Sequence, residues 1–260
     1  MRPLELLAPA KNLETGIAAI EHGADAIYIG AEQLGARSAA GNSVEDIAQL
    51  CQYAKPFGVK VYVTLNVIVY EHEIDYCQKL ITQLYEAGVD ALIVQDMGVL
   101  KMDIPPIELH ASTQTDNRTA DKVSWLKSLG FARVVLAREL SLDVIKAIHK
   151  EEPDVELEVF VHGALCVSYS GVCYVSQHSF GRSANRGECA QFCRMSFDLV
   201  DSDDREIEHQ RHLLSLKDMC RINELEQLAD AGATSFKIEG RLKDVSYVKN
   251  VVSAYRKKLD

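Results

Sequence analysis

The chain has 260 residues, with 28 Lys and Arg against 38 Asp and Glu, a formal net charge of −10, and hydrophobic and charged fractions of 47% and 25%. These are globular values that exclude disordered and fibrous classes, and the acidic balance disfavours nonspecific binding of polyanions by the surface as a whole. The longest strongly apolar stretch, Val59 to Tyr70, falls short of the roughly 20 residues that span a bilayer, and the N-terminus has no export-type apolar region. The expectation is therefore a cytoplasmic protein without a membrane partner.

Taken in order, the chain opens on L-E-L-L-A-P-A. Asn12 follows as a helix N-cap, with apolar Leu13, Ile17 and Ile20 at helical spacing, and Gly23 ends that helix. Next comes A-D-A-I-Y-I-G, a run apolar on both faces, as a strand buried on both sides would be. The same phrase then recurs, with a helical pattern ending at a glycine and a strand directly after it, at Gly58, Gly88, Gly130 and Gly232. With I-E-L-H-A-S-T near residue 107 and V-E-L-E-V-F-V-H-G near residue 155, the series predicts eight strands alternating with helices. The helix after the fourth strand is abbreviated around Gly98 to Met102, and that before the eighth comes late, at Arg221 to Ala231. This is the pattern of a parallel (β/α)8 barrel of the TIM type. An open doubly wound sheet would want a glycine-rich phosphate turn, which the sequence lacks. One domain is predicted over 1–260, with a cysteine-rich insertion at about 163–220 after the seventh strand. The helical ending S-A-Y-R-K-K-L-D has no stop signal, and the chain is expected to be the N-terminal part of a longer protein.

Barrels of this kind build active sites at the C-terminal ends of their strands. Those ends carry Asn66, Gln95 with Asp96, His110, Arg138 with Glu139, His162, and Lys237 with Glu239 and Arg241. His162 and Glu239 are the candidate catalytic residues. His110, Lys237 and Arg241, with Arg37 after the second strand, are candidates for substrate binding. Lys237, Glu239 and Arg241 share one strand face, which suits either a buried ion pair or recognition of an anion.

Seven cysteines are present, and Cys51 and Cys77 fall on apolar helix faces, where packing accounts for them. The other five are grouped. Six residues separate Cys166 from Cys173, 15 separate Cys173 from Cys189, three separate Cys189 from Cys193, and 26 separate Cys193 from Cys220. In a reducing compartment such a group points to metal or redox work before disulfides. A [4Fe-4S] cluster and a structural zinc both remain open, as do inert buried thiols. His162 near Cys166 also admits a cysteine nucleophile. Arg182, Arg186 and Arg194 form a local basic patch in this stretch, opposed in sequence only by Glu188.

From Glu158 to Ser176 the chain reads E-V-F-V-H-G-A-L-C-V-S-Y-S-G-V-C-Y-V-S, which resembles the signature of the peptidase U32, or collagenase-like protease, family. The resemblance extends to E-L-L-A-P-A, G-A-D-A-I-Y-I-G, R-G-E-C-A-Q-F-C-R, L-K-D-M-C and F-K-I-E-G-R, so it covers essentially the whole chain. It implies an iron-sulfur protein that hydroxylates RNA, either tRNA wobble uridine or a ribosomal cytidine, with prephenate, a small dicarboxylate, as co-substrate. The implied [4Fe-4S] ligands are Cys166, Cys173, Cys189 and Cys220, with Cys193 a rival in the C-x-x-x-C pair. Arg182 and Arg186 would then meet RNA phosphates. The alternatives are a peptidase, which lacks any G-x-S-x-G or H-E-x-x-H motif here, and a non-catalytic barrel with a structural metal.

Overall fold

Strands that are apolar on both faces must be covered on both, and a closed barrel wrapped in helices does this. The computed structural model describes residues 4–35, 41–240 and 242–260. Its strands are β1 (Glu5–Ala10), β2 (Ala26–Ala31), β3 (Gly41–Asn42), β4 (Lys60–Leu65), β5 (Ala91–Val94), β6 (Glu108–Ala111), β7 (Arg133–Val135) and β8 (Glu156–Gly163). The insertion then contributes an antiparallel ribbon, β9 (Phe197–Val200) with β10 (Glu206–Arg211), and a short β11 (Met219–Cys220), before β12 (Ala233–Ile238). The order β1-β12-β8-β7-β6-β5-β4-β2, closed by pairing of β1 with β2, makes an eight-stranded parallel barrel. The two-residue β3 pairs parallel with the end of β2, and β11 pairs antiparallel with the end of β8.

The outer layer holds α1 (Leu13–Glu21), α2 (Val44–Ala54), α3 (Ile74–Glu86), α4 (Ala120–Ser128), α5 (Leu142–Glu151), a short α6 (Val175–Phe180) inside the insertion, α7 (Leu225–Asp230) and α8 (Val245–Leu259). Asn12 caps α1 as expected, its side chain accepting from the Thr15 amide. The connection after β5 is only a 3-10 turn at Met97–Lys101. All five glycines predicted to end a helix or turn have positive φ. Cys51 and Cys77 are buried in the layer between helices and sheet, as packing predicts. Among the described residues no helix is long and apolar enough to cross a membrane.

The barrel interior is packed by Leu7, Ala26, Tyr28, Tyr62, Ala91, Ile93, Val135 and Phe160. Toward the N-terminal ends of the strands it also holds charge. Glu5 accepts from the Tyr62 hydroxyl at 2.6 Å and the Ser235 hydroxyl at 2.8 Å, and pairs with Arg133. Arg133 also meets Glu158, which bonds Lys237 at 2.7 Å. His110 belongs to this interior and not to the mouth, which corrects its placement as a substrate ligand. Its imidazole is fully buried, edge-on to Tyr62, with Nε2 at 2.7 Å from Glu108. The reason is register, since β6 runs one residue past His110 before the chain reaches the mouth at Ser112.

Candidate active site

The site starts where β8 leaves the barrel. On β12, Lys237 faces Phe160 but the next residue, Ile238, faces His162, so β8 carries one extra residue and a bulge. Phe160 still points into the barrel, whereas His162 turns outward onto α8. Its ring meets Tyr255 edge-on at 5.5 Å, with Nδ1 3.3 Å from the Tyr255 hydroxyl, which in turn donates to the Val161 carbonyl. Burial, and secondarily the Lys243 charge, hold the imidazole below its ordinary pKa against the opposing pull of Asp218. His162 lines neither cavity described below. The catalytic reading of His162 is therefore corrected, and so is a Cys166–His162 dyad.

Beyond Gly163 the insertion folds over the C-terminal mouth and encloses a cavity of about 770 Å³. Cys166, Cys173, Cys189 and Cys193 all line it, together with Arg138 and Glu239 of the barrel. Several contacts fix this loop. Glu139, in the loop after β7, accepts from both the amide and the hydroxyl of Ser170. Arg194 donates to the carbonyls of Leu165 and Leu216 and to the Ser215 hydroxyl, tying three parts of the insertion together. The Gln191 amide points at the Cys189 sulfur from 3.4 Å. Burial raises the Cys193 thiol, and neighbouring Cys166 and Cys189 add to the rise despite Arg194.

The donor set fits a thiolate-ligated metal group. All four cavity thiols are free, and no three of these sulfurs lie within 4.8 Å of one another. Cys220, the fourth ligand implied by resemblance, does not line the cavity. It sits in β11 opposite His162, with its sulfur 4.0 Å from the Tyr255 hydroxyl. In this arrangement the thiol beside the other three is Cys193.

Below the cavity, inside the barrel mouth, lies a chamber of about 50 Å³ lined by Tyr28, Thr64, Asn66, Ser112, Thr113 and Lys237, among others. Arg138, Glu239 and Gln114 line both spaces. Arg138 donates to Glu239 at 2.8 Å, and its guanidinium lies 4.2 Å over the Phe160 ring. For Lys237 the ion pair is what the fold provides, with Glu158 as partner and the Tyr28 ring 4.3 Å away. Arg37 and Arg241 lie outside the described residues. On the rim, the exposed Arg182 lines the cavity, but Arg186 is bound to Glu73 and to the Ile68 carbonyl. Glu188 is thus not the sole acid opposing that patch. The contributions of Arg138, Glu139 and Glu73 escaped the sequence reading, though the first two stood out as polar residues ending an apolar strand.

Residues 11–260 match the description of peptidase family U32. The chain belongs to this family. U32 relatives include a 23S rRNA 5-hydroxycytidine synthase of Escherichia coli, 55% identical over 99% of this chain and 39% of its own length. The tRNA hydroxylation protein P1 of Bacillus subtilis is 40% identical over 98% of the chain and 63% of the relative. A protein named collagenase in Porphyromonas gingivalis is 36% identical over 98% of the chain and 65% of the relative. The chain thus spans between about two fifths and two thirds of these proteins. Among solved structures, a U32 peptidase, Mk0906, superposes with a TM-score of 0.55 at 14% identity, covering 92% of this chain and 93% of that one. That likeness concerns the barrel fold.

Proposed function

We propose that this U32 barrel is the catalytic part of an RNA hydroxylase that carries a [4Fe-4S] cluster and takes prephenate as its small dicarboxylate co-substrate. The observation that carries the reading is the gathering of four free thiols around one cavity at the C-terminal mouth, which shares Gln114, Arg138 and Glu239 with a polar chamber inside the barrel. The names of the rRNA and tRNA relatives supply the substrate class. Cys166, Cys173 and Cys189 would hold three corners of the cluster. For the fourth, motif and cavity part company, the first naming Cys220 and the second Cys193. When bound, such a cluster supplies electron transfer, or a Lewis-acid position at an iron without a protein ligand.

The chain's own groups orient and enclose the reactants. Arg182 on the rim is available to an RNA phosphate, which would position the strand without reading its sequence. Beside it Tyr169 is exposed, with the Arg118 guanidinium 4.0 Å over its ring, and Arg118 is pinned in turn by Asp116. That pair is a stacking platform for an unpaired base. Glu139 and Arg194 fasten the loop over the mouth. Of the cations expected to read the dicarboxylate, Lys237 is engaged by Glu158.

The test is genetic and chemical. The gene for the full-length protein is deleted in its own cell, and RNA nucleosides are quantified by mass spectrometry. Loss of hydroxylated cytidine from ribosomal RNA, or of hydroxylated uridine from tRNA, supports the proposal, and retention of both overturns it. A cysteine-type peptidase that uses His162 as its base is disfavoured, because His162 is turned away from the cavity thiols.

A further inference from the structure

We propose that Arg138 is the binding residue for the carboxylate of a small organic acid, and that Glu239 is an internal carboxylate which the ligand displaces. Three observations converge on it. Arg138 stands at the junction of the two spaces, lining both the 770 Å³ cavity and the 50 Å³ chamber. Its plane is fixed by the Phe160 ring, 4.2 Å away, so its donors are already oriented before any ligand arrives. Its NH2 group donates to Glu239, but its Nε–H is buried with no hydrogen-bond partner. Buried N–H groups almost always find an acceptor, and an arginine at the wall of a polar chamber with one donor unmet is arranged to receive one.

The chamber defines the class of ligand. At about 50 Å³ it has room for roughly three water-sized atoms, which is a carboxylate group and little more. Around it stand neutral polar side chains, Thr64, Asn66, Ser112 and Thr113, with the Thr64 and Thr113 hydroxyls donating to the Ile29 and Leu136 carbonyls and the Asn66 amide to Ser112. Among the described residues Glu239 is the only carboxylate in its lining. A ligand with its carboxylate in the chamber would have its body in the larger cavity, next to the four thiols. Arg138 already donates to Glu239 at 2.8 Å, so an anion that takes the same guanidinium competes with Glu239 for it.

The proposal deepens the hydroxylase reading, since it gives the donor's carboxylate a partner in Arg138, but its test needs neither RNA nor turnover. Binding of phenylpyruvate and of malonate to the purified chain is measured by calorimetry, with phenylacetamide and inorganic phosphate as controls. At least one of the two acids should bind at millimolar concentration or below, and more tightly than either control. Arg138→Met should weaken that binding by about tenfold or more, as expected for loss of a charge-assisted contact, and Arg138→Lys should recover part of it. Glu239→Gln should tighten it, about threefold or more, because the competitor is gone. A merely structural ion pair would give losses in both variants. Should Arg138→Met fail to fold, the sign of the Glu239→Gln effect still decides. The proposal is overturned if neither acid binds the parent chain by about 10 mM, if either control binds as well as the acids, or if Glu239→Gln weakens binding. Hydroxylated nucleosides retained in the deletion strain, with carboxylate binding intact, would remove only the RNA reading, and their loss there with no carboxylate binding would remove only this one.

Discussion

Cys193 and Cys220 compete for one role, and their surroundings separate them. Cys193 lines the cavity close enough to Cys166 and Cys189 for their charges to raise its thiol, while Cys220 rests against Tyr255 on the other side of β8. Anaerobic purification with iron and sulfide quantified is expected to give about four of each per chain, falling to near zero in Cys166→Ser, Cys173→Ser and Cys189→Ser. The fourth corner follows from the same assay on Cys193→Ser and Cys220→Ser, since the variant that keeps its full iron content is not a ligand. Stoichiometric zinc in the parent would remove the cluster altogether. At Tyr169 the expectation concerns RNA. Tyr169→Ala should weaken binding of a single-stranded RNA by about 1–3 kcal/mol if its ring stacks a base, and Tyr169→Phe should bind like the parent, as read by fluorescence anisotropy.

The loop between Cys166 and Cys173 depends on a close backbone approach. Gly171 has φ of +83°, and a Cβ there would lie 2.3 Å from the Gln114 carbonyl oxygen. Backbone cannot yield as a flexible side chain can, so Gly171→Ala should cost about 2–3 kcal/mol in denaturant unfolding and lower the iron content as well. Gly181→Ala is the control, with φ of +62° but open space around the added atom, and should cost about 1–2 kcal/mol. A second fastening is Arg186 with Glu73. Burial alone would raise the Glu73 carboxyl, but hydrogen bonds from Arg186 and the Tyr70 amide hold it below its usual value of 4.5. A depressed carboxylate contributes fully above its unfolded pKa, and that contribution is lost as pH falls through the lower folded value. Glu73→Gln should therefore cost on the order of 1 kcal/mol at pH 7, a difference that shrinks toward zero as the solution is acidified below the ordinary carboxylate range. Both partners were visible in the sequence, but their pairing was not, because they are brought together from opposite ends of the barrel's connections. The eight strands were legible for the opposite reason, each being a local apolar run punctuated by glycine. His162 was misread because alternation along a strand predicts facing only until a bulge intervenes, and nothing local in V-F-V-H-G announces the extra residue.

At the scale of the whole molecule, the barrel's interior sets its stability against its charge. Glu158 is fully buried among Lys237 at 2.7 Å and Arg133 at 3.3 Å. Burial by itself would raise the Glu158 carboxyl, but Lys237 and Arg133 overcome it and hold the group below its ordinary pKa. Removing one member of such a pair leaves its partner charged without sufficient compensation, at a cost of about 3–5 kcal/mol. Lys237→Met is expected to lose that much at pH 7 in urea unfolding. Glu158→Gln combined with Lys237→Met should lose less than the two single changes added together, since neither charge is then stranded. The acid response gives an independent reading. In the parent, the depressed Glu158 contributes stability above its unfolded pKa that disappears as pH falls through the folded value. In Lys237→Met only Arg133 and His110 oppose burial, so the folded pKa rises and the loss of stability on acidification below the ordinary carboxylate range becomes shallower. A variant as acid-sensitive as the parent would show that Arg133, through its links to Glu5 and Glu156, is the cation on which the buried carboxylate depends.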